Sequence, residues 1–439
     1  MIKTMTRFGV LLLSVFLLHS CGEEDDSTVV TLTQINSHST ADNYMQSIYA
    51  ELAKQQLFAD GFLFFPLLYS DDCKYTGTSN NGWKQASDFD FSPESSLLNN
   101  VFLDFYSINA TLNFYFSQVD TVTHSTLTDD VRLGLRAEGQ ALRAVLYFYL
   151  SNYWGEVPLI TDGEEATDSI QVVATQEELF EQIESDLLYA EEHIEKSNLN
   201  TGNQRISKWG VKSLLARVYL YNGDWAKAQQ YAEEVINESG ITLENTVNAI
   251  YNIGSSENVW VLPEALDDVS LGIYFLQPFA SGQHVVQPRG IDFFEAGDLR
   301  RDVALSQPGN TILKYDDVNG NSDPVYMIRL SELYLIAAEA AARASGDYET
   351  TADYLNTLRT RAGLADVAVT ADNFEDLILA ERRAELCYEG MHRWLDLKRT
   401  GKDEAVLAGL GYEVPRARLW PFPESFLEVF KSVEQNEGY

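Results

Sequence analysis

Four oxygen-bearing side chains alternate along one short stretch of this sequence: Asp317, Asn319, Asn321 and Asp323, with Gly320 between them. Carboxylate and amide oxygens at every second residue are the donors that suit Ca²⁺. An EF-hand loop would also need a bidentate glutamate at its twelfth position, which here is Ile328. Asp, Asn and Gly are equally what an ordinary turn selects, so a calcium loop and a plain turn both stay open. Zinc chemistry has no foothold, since the chain has six histidines, no HExxH, no CxxC and no adjacent His/Cys cluster. No Ser-His-Asp elbow marks a nucleophile. Glycoside hydrolysis would need an acid and a base carboxylate flanking the scissile bond. With 66 acidic residues such a pair is not decided by counting, yet no catalytic loop stands out, so no catalytic residue is assigned and no enzyme activity is expected. No cofactor is expected beyond Ca²⁺.

A second kind of chemistry lies in the aromatic residues. Trp83 stands among Asn80, Asn81, Gly82 and Lys84, inside a polar, glycine-containing stretch from Tyr75 to Ser87 that reads as a loop. A tryptophan there either folds back on the core or offers its ring to a ligand, and both readings stay open. Tyr75, Asn80 and Asn81 are its natural companions. A second group is Tyr274, Phe275, Gln277 and Phe279, with His284, Gln287 and Arg289 nearby. Here Ile273 to Leu276 reads as a short strand, in which alternation buries one of Tyr274 and Phe275 and exposes the other. Trp260 lies in the continuous apolar run Asn258 to Leu262 and reads as core. Phe102, Phe105, Phe114 and Phe116 recur on a helical pattern and read as packing.

Cys21 carries a third chemistry. It follows Lys3 and Arg7, an apolar run from Phe8 to Leu18, and Ser20, which together read as an export signal. The run is shorter than the ~20 residues that span a bilayer. Leu18 to Cys21 resembles a lipobox, in which cleavage leaves the cysteine as an acylated N-terminus. Buried acyl methylenes at ~0.8 kcal/mol each make a firm anchor. The acidic run Gly22 to Asp26 reads as a solvated linker and also resembles the acidic signal of lipoproteins exported to the outer face of the outer membrane. Residues 1–20 are thus expected to be a lipoprotein signal peptide and 21–40 an acylated cysteine with its linker. The expected location is the outer membrane, lipid-anchored and exposed at the cell surface.

The chain has 439 residues, 45% of them hydrophobic, enough to bury a large core. Its formal charge of -35 repels phosphate backbones and polyanions. Nucleic acid is therefore excluded, while neutral sugars, peptides and cationic partners remain. Cys73 sits in a loop-like stretch, and Cys387 lies within a helical pattern, where a buried thiol is expected.

The elements that must position these groups are mostly helical. Apolar spacing predicts helices over 42–60, 97–119 and 128–153. From Ser207 to Ser239, Leu215, Ala216, Tyr219, Gly223, Trp225, Ala228 and Ala232 fall at tetratricopeptide spacing, with Gly223 and Asp224 at the turn. A second copy runs from Ala338 to Leu358 around Ser345, Gly346 and Asp347. Between the copies, residues 241–325 mix short β-prone runs with Gly, Pro, Ser and Asp and read as a loop-rich insert. The expectation is a mostly α fold, a single domain over 41–439 with helical repeats over about 128–240 and 326–439.

At this point the sequence resembles the SusD/RagB family. Glu381 to Gly401 reads E-R-R-A-E-L-C-Y-E-G-M-H-R-W-L-D-L-K-R-T-G and is similar to the family's C-terminal signature. Leu419 to Pro423 resembles its aromatic-proline turn, and Gln435 to Tyr439 its terminal Q-N-P-G-Y, with Glu437 in place of the proline. Arg329 to Ala340, Arg143 to Pro158 and Gly297 to Arg301 are further matches. Trp154 and Trp394 fall inside such motifs and read as core. Glu381, Arg382, Glu385, Glu389, Arg393, Asp396 and Arg399 recur at three- and four-residue steps, which predicts ion pairs along a helix that hold structure rather than do chemistry.

The resemblance implies a surface nutrient-binding lipoprotein with a sugar or peptide site built from variable loops, and a SusC-like TonB-dependent transporter as partner. Sugar rings stack their C–H faces on exposed aromatics while Asp, Asn, Gln and Arg take the hydroxyls. The candidate ligand residues are then Trp83, Tyr75, Asn81, Tyr274, Gln277 and Phe279. The alternatives are a peptide ligand on the same fold, or a tetratricopeptide-type adaptor that binds protein partners. Only two legible repeats and a bulky insert fit the adaptor poorly.

Overall fold

The computed structural model describes residues 35–439 apart from 55, 162–172, 198–202, 252–253, 263–270, 277–285, 308, 310 and 318–322. Residues 1–34, with Cys21 and most of its linker, and Gln277, Phe279, Asn319 and Asn321 thus lie outside the described residues.

Helix α1 (His38–Leu52) opens with a capping box in which Ser37 and Thr40 satisfy each other's backbone N–H groups. It starts inside the stretch expected to be linker, and the helix expected over 42–60 is two elements. The second is a π-helix, Gln56–Phe64, continued directly by α2 (Phe65–Leu68). Strand β1 (Cys73–Tyr75) and the short α3 (Gly82–Ser87) follow. Then come the long α4 (Ser96–Thr121) and α5 (Asp129–Trp154), capped by Ser95 and Thr128. On α4, Phe102, Phe105 and Phe116 are buried as expected, whereas Phe114 is 42% exposed because it falls on the outer stripe of the helix.

The repeats pair α6 (Gln176–His193), α7 (Lys208–Asn222) and α8 (Trp225–Glu238). Later in the chain, α8 packs against α11 (Leu330–Ser345), which leads into α12 (Tyr348–Arg361). Both repeat turns use one device. Gly223 and Gly346 sit in the left-handed region at φ 79° and 69°, which glycine enters without steric cost. The next residue, Asp224 or Asp347, caps the following helix by accepting from the backbone N–H of Lys227 or Thr350.

Between the repeats lie β2 (Asn258–Leu262), α9 (Leu271–Leu276), β3 (Val286–Pro288), α10 (Leu299–Ala304) and β4 (Val325–Arg329). β2 pairs antiparallel with β4, and β1 with β3. Trp260 is buried, as its apolar run predicts. Ile273 to Leu276 is not a strand but part of α9. Helical packing there lets Gly272 approach the Asp317 backbone so closely that a Cβ would lie 2.4 Å from its carbonyl oxygen.

The C-terminal signature spans α13 (Phe374–Leu386) and α14 (His392–Arg399), broken at Cys387 with Tyr388 at φ 63°. Its charges are paired, but mostly across elements rather than along one helix. Only Arg399 and Asp396 pair at i,i+3 among them, at 2.8 Å. Arg329 on β4 reaches Glu257, Glu385 and Glu389; Lys314 reaches Glu389 at 2.6 Å; and Arg361 reaches Glu385 at 2.5 Å. Arg300 joins Asp298, Glu381 and Glu385. α15 (Asp403–Leu407) and α16 (Glu424–Val429) complete the chain, with Trp420, Tyr153 and Trp394 mutually stacked. Cys73 lies in β1 rather than a loop, and both it and Cys387 are buried free thiols.

Candidate functional site

The π-helix is the foundation of the site. Leu57, Phe58, Ala59, Phe62, Leu63 and Phe64 are all buried, so this element is apolar nearly all round and Asp60 is its one charge. A π-helix carries wider turns than an α-helix and marks functional segments often enough to direct attention here. Gly390 of the C-terminal signature packs on it. At φ 89°, a Cβ there would sit 2.3 Å from the carbonyl oxygen of Phe62. From α5, the Tyr153 hydroxyl donates to the carbonyl of Gly61 at 3.2 Å.

The chain then leaves this base through an arginine clamp. Asp71 accepts from Arg393 at 2.7 Å and pairs with Arg383 at 2.9 Å, and Arg383 also reaches Asp72 at 2.9 Å. Fixed there, β1 runs out beside β3, with Tyr75 opposite Val286. Asn81 turns the chain into α3: its side-chain oxygen accepts from the backbone N–H of Lys84 at 3.2 Å. That oxygen is committed to a helix cap, which is why asparagine stands here.

Trp83 is therefore a helical residue, not a loop residue, and it folds inward. It is 8% exposed, and its Nε1–H donates to Asp60 Oδ1 at 2.6 Å. Around it gather both groups of aromatic candidates. The Trp83 ring centroid lies 4.9 Å from Phe64, 4.9 Å from Tyr274 at an interplanar angle of 78°, and 6.2 Å from Tyr75 at 82°. Tyr274 in turn meets Phe64 edge-on at 5.2 Å. These are the offset and T-shaped contacts that aromatic quadrupoles favour. Phe275 is buried, 5.4 Å from Phe64, while Tyr75 and Tyr274 are half-buried and form the outer rings of the cluster. An open tryptophan platform is thus replaced by two tyrosines backed by a buried indole.

Burial raises the carboxyl of Asp60 to about 7, opposed only by the indole hydrogen bond. Neither Asp60 nor Phe64 was a sequence candidate. The available signal was a lone acid in the otherwise apolar run Leu57 to Leu68. At the candidate calcium loop, Asp323 is buried and accepts from the backbone N–H of Asp317 at 3.0 Å, a turn-closing bond that aspartate makes without a metal. Among the described residues no group of three or more His, Cys, Asp or Glu is arranged to hold a metal. Other surface depressions lie away from this cluster. One of about 470 Å³ beside α8 is lined by Gln229, Gln230, Glu233 and Glu234 and offers no ring to stack on.

A model of the SusD family matches residues 308–439, and a second model, of proteins described as starch-binding and associating with the outer membrane, matches residues 22–220. The chain belongs to the SusD/RagB family. A SusD-like protein of Bacteroides ovatus is 25% identical over 68% of this chain and 65% of its own length. SusD-like protein P2 of Formosa agariphila is 24% identical over 100% of both chains. Among solved structures, a laminarin binding SusD-like protein superposes with a TM-score of 0.78 at 22% identity, covering 92% of this chain and 100% of that one. A surface glycan-binding protein A from Bacteroides thetaiotaomicron gives 0.78 at 21%, covering 92% and 100%. These likenesses establish the mostly α SusD-like fold with its helical repeats and loop-rich insert.

Proposed function

We propose that this SusD-family chain is a non-enzymatic surface lipoprotein that captures a neutral glycan against Tyr75 and Tyr274. It is anchored in the outer membrane through acylated Cys21 and delivers the glycan to a SusC-like TonB-dependent transporter. One observation carries the reading: two aromatic groups far apart in sequence converge on one half-exposed face around Trp83. Sugar C–H faces stack on such rings. The charge of -35 favours a neutral ligand over a polyanion, and the names of the relatives point to glycans. A lipid anchor holding receptor beside transporter lets a weak site work through local concentration.

Calorimetric titration of the full-length chain against laminarin, starch, acidic polysaccharides and peptide digests tests this. Binding of one neutral glycan at roughly -8 to -4 kcal/mol is the expected result. Binding of peptides alone would replace the ligand class, and new reducing ends after incubation would mean catalysis.

A further inference from the structure

Most buried carboxylates of this protein face a cation; among the described residues Asp60, like Asp323 at its turn, does not. Asp186 faces Arg143 at 2.7 Å, Glu138 faces Arg205 at 2.6 Å and Glu332 faces Arg217 at 2.6 Å. Asp60 is 3% exposed and has no cationic partner among the described residues; it faces the indole N–H of Trp83 instead. A buried carboxyl without a cation is costly, and a single neutral donor offsets little of it. The residue's contact is with the ring that backs both outer tyrosines.

We propose that Asp60 is the positioning residue of the aromatic face: it holds the Trp83 indole, and through it sets the placement of Tyr75 and Tyr274, with a grip that depends on protonation. For the ligand this rests on the glycan reading above; for Trp83 it stands alone.

The groups that neighbouring elements bring around the π-helix leave Asp60 to itself. From β4, Arg329 is spent on Glu257, Glu385 and Glu389, and Tyr326 lies beside Tyr251 and Tyr315. From α4, burial raises the carboxyl of Asp104 to about 6, with Lys54 opposing and Glu51 adding to the rise. α5 gives Tyr153, bonded to Gly61; α3 gives Lys84, paired with Asp88; and α9 gives Tyr274, in ring contact with Trp83. α2 contributes no ionisable side chain. Because burial raises the carboxyl to about 7, the closed arrangement prefers the neutral form. The ionised carboxylate is the stronger acceptor for the indole N–H but is disfavoured by burial, so the grip on Trp83 changes with protonation and glycan affinity changes as pH passes through about 7.

The test uses the full-length chain and two variants. Asp60→Asn keeps an acceptor without a charge, and Asp60→Leu removes the acceptor at similar volume. The indole N–H resonance of Trp83, assigned by its disappearance in Trp83→Phe, is followed without ligand from acid to alkaline pH. The expected result is a transition centred at about 7 in the wild type, none in Asp60→Asn, and a displaced resonance in Asp60→Leu. Titration with the glycan should then show about a tenfold weaker Kd for Asp60→Leu. Asp60→Asn should bind like the wild type at acidic pH but without pH dependence. An unmoved resonance in Asp60→Leu, or wild-type affinity in that variant, overturns the proposal. If Asp60→Leu does not fold, a pH transition that persists in Asp60→Asn overturns it. If the wild type binds no glycan, the functional reading falls and the indole resonance alone decides the role of Asp60.

Discussion

Two regions of this protein treat buried charge in opposite ways. In the helical base, Arg329, Arg361, Arg300 and Lys314 interlock with Glu257, Glu381, Glu385 and Glu389, all deep in the structure. All of these charges except Lys314 have two or more partners, and Glu385 is held well below the usual carboxylate range despite its burial, through Arg361, Arg329 and Arg300. At the aromatic face a single carboxyl meets only an indole, and burial wins. The base spends its ionisable groups on register between helices, while the face keeps one group able to change charge near neutral pH. Ion pairs alone thus do not mark a site.

Breaking the base should give the largest effect. Arg329→Leu strips three carboxylates of a shared cation and is expected to cost about 3–5 kcal/mol in denaturant-measured stability, more than any change at the face.

A sharper contrast comes from pH. A carboxyl whose pKa is raised on folding binds its proton more tightly in the native state, so its contribution is fully present below the unfolded value and is lost as pH rises towards the folded one. For Asp60 that window runs from its ordinary value of 3.8 to about 7. Compared with Asp60→Asn, the wild type should lose stability across it by at most about 4 kcal/mol, then run parallel. Asp72 and Asp186 also have raised values but keep arginine partners, so Arg383 and Arg143 oppose the burial there.

Next is the joint between the regions. Gly390→Ala combines a left-handed backbone with a Cβ driven into the carbonyl of Phe62, and about 2–4 kcal/mol of destabilisation is expected. Its mark should be a shifted Trp83 indole resonance as well as a lower midpoint, because the π-helix carries Asp60.

The smallest effect on stability is expected at the outer rings. Tyr274→Ala should leave the melting temperature within a few degrees, given its partial exposure, yet weaken glycan binding about tenfold by calorimetry. Unchanged affinity would move the site away from this face.

Much of the base was legible from the sequence. Apolar spacing marked the helices near 97–119 and 128–153, and Gly223-Asp224 and Gly346-Asp347 marked the repeat turns, because helical periodicity and left-handed glycines are local chemistry. The charged signature was legible as structural, but its partners were not, since Arg329 and Arg300 come from other parts of the chain. At the face the local structure differed from the sequence reading, or settled what that reading had left open. Asn81 caps a helix, Tyr274 sits on a helix rather than a strand, and Trp83 turns inward. No local pattern distinguishes an indole that meets a ligand from one that meets an acid.

By itself the sequence determined the long helices, the repeat turns, the mostly α repeat architecture and the family, all of which rest on interactions between residues close in the chain or on patterns read in order. Tertiary structure alone decided that Asp60 lies under Trp83, that Tyr75 and Tyr274 share one face, and that the signature clamps the strand leading to it. Those facts depend on which distant segments exclude water from one another, and burial of that kind sets both the pairing of a charge and the exposure of a ring.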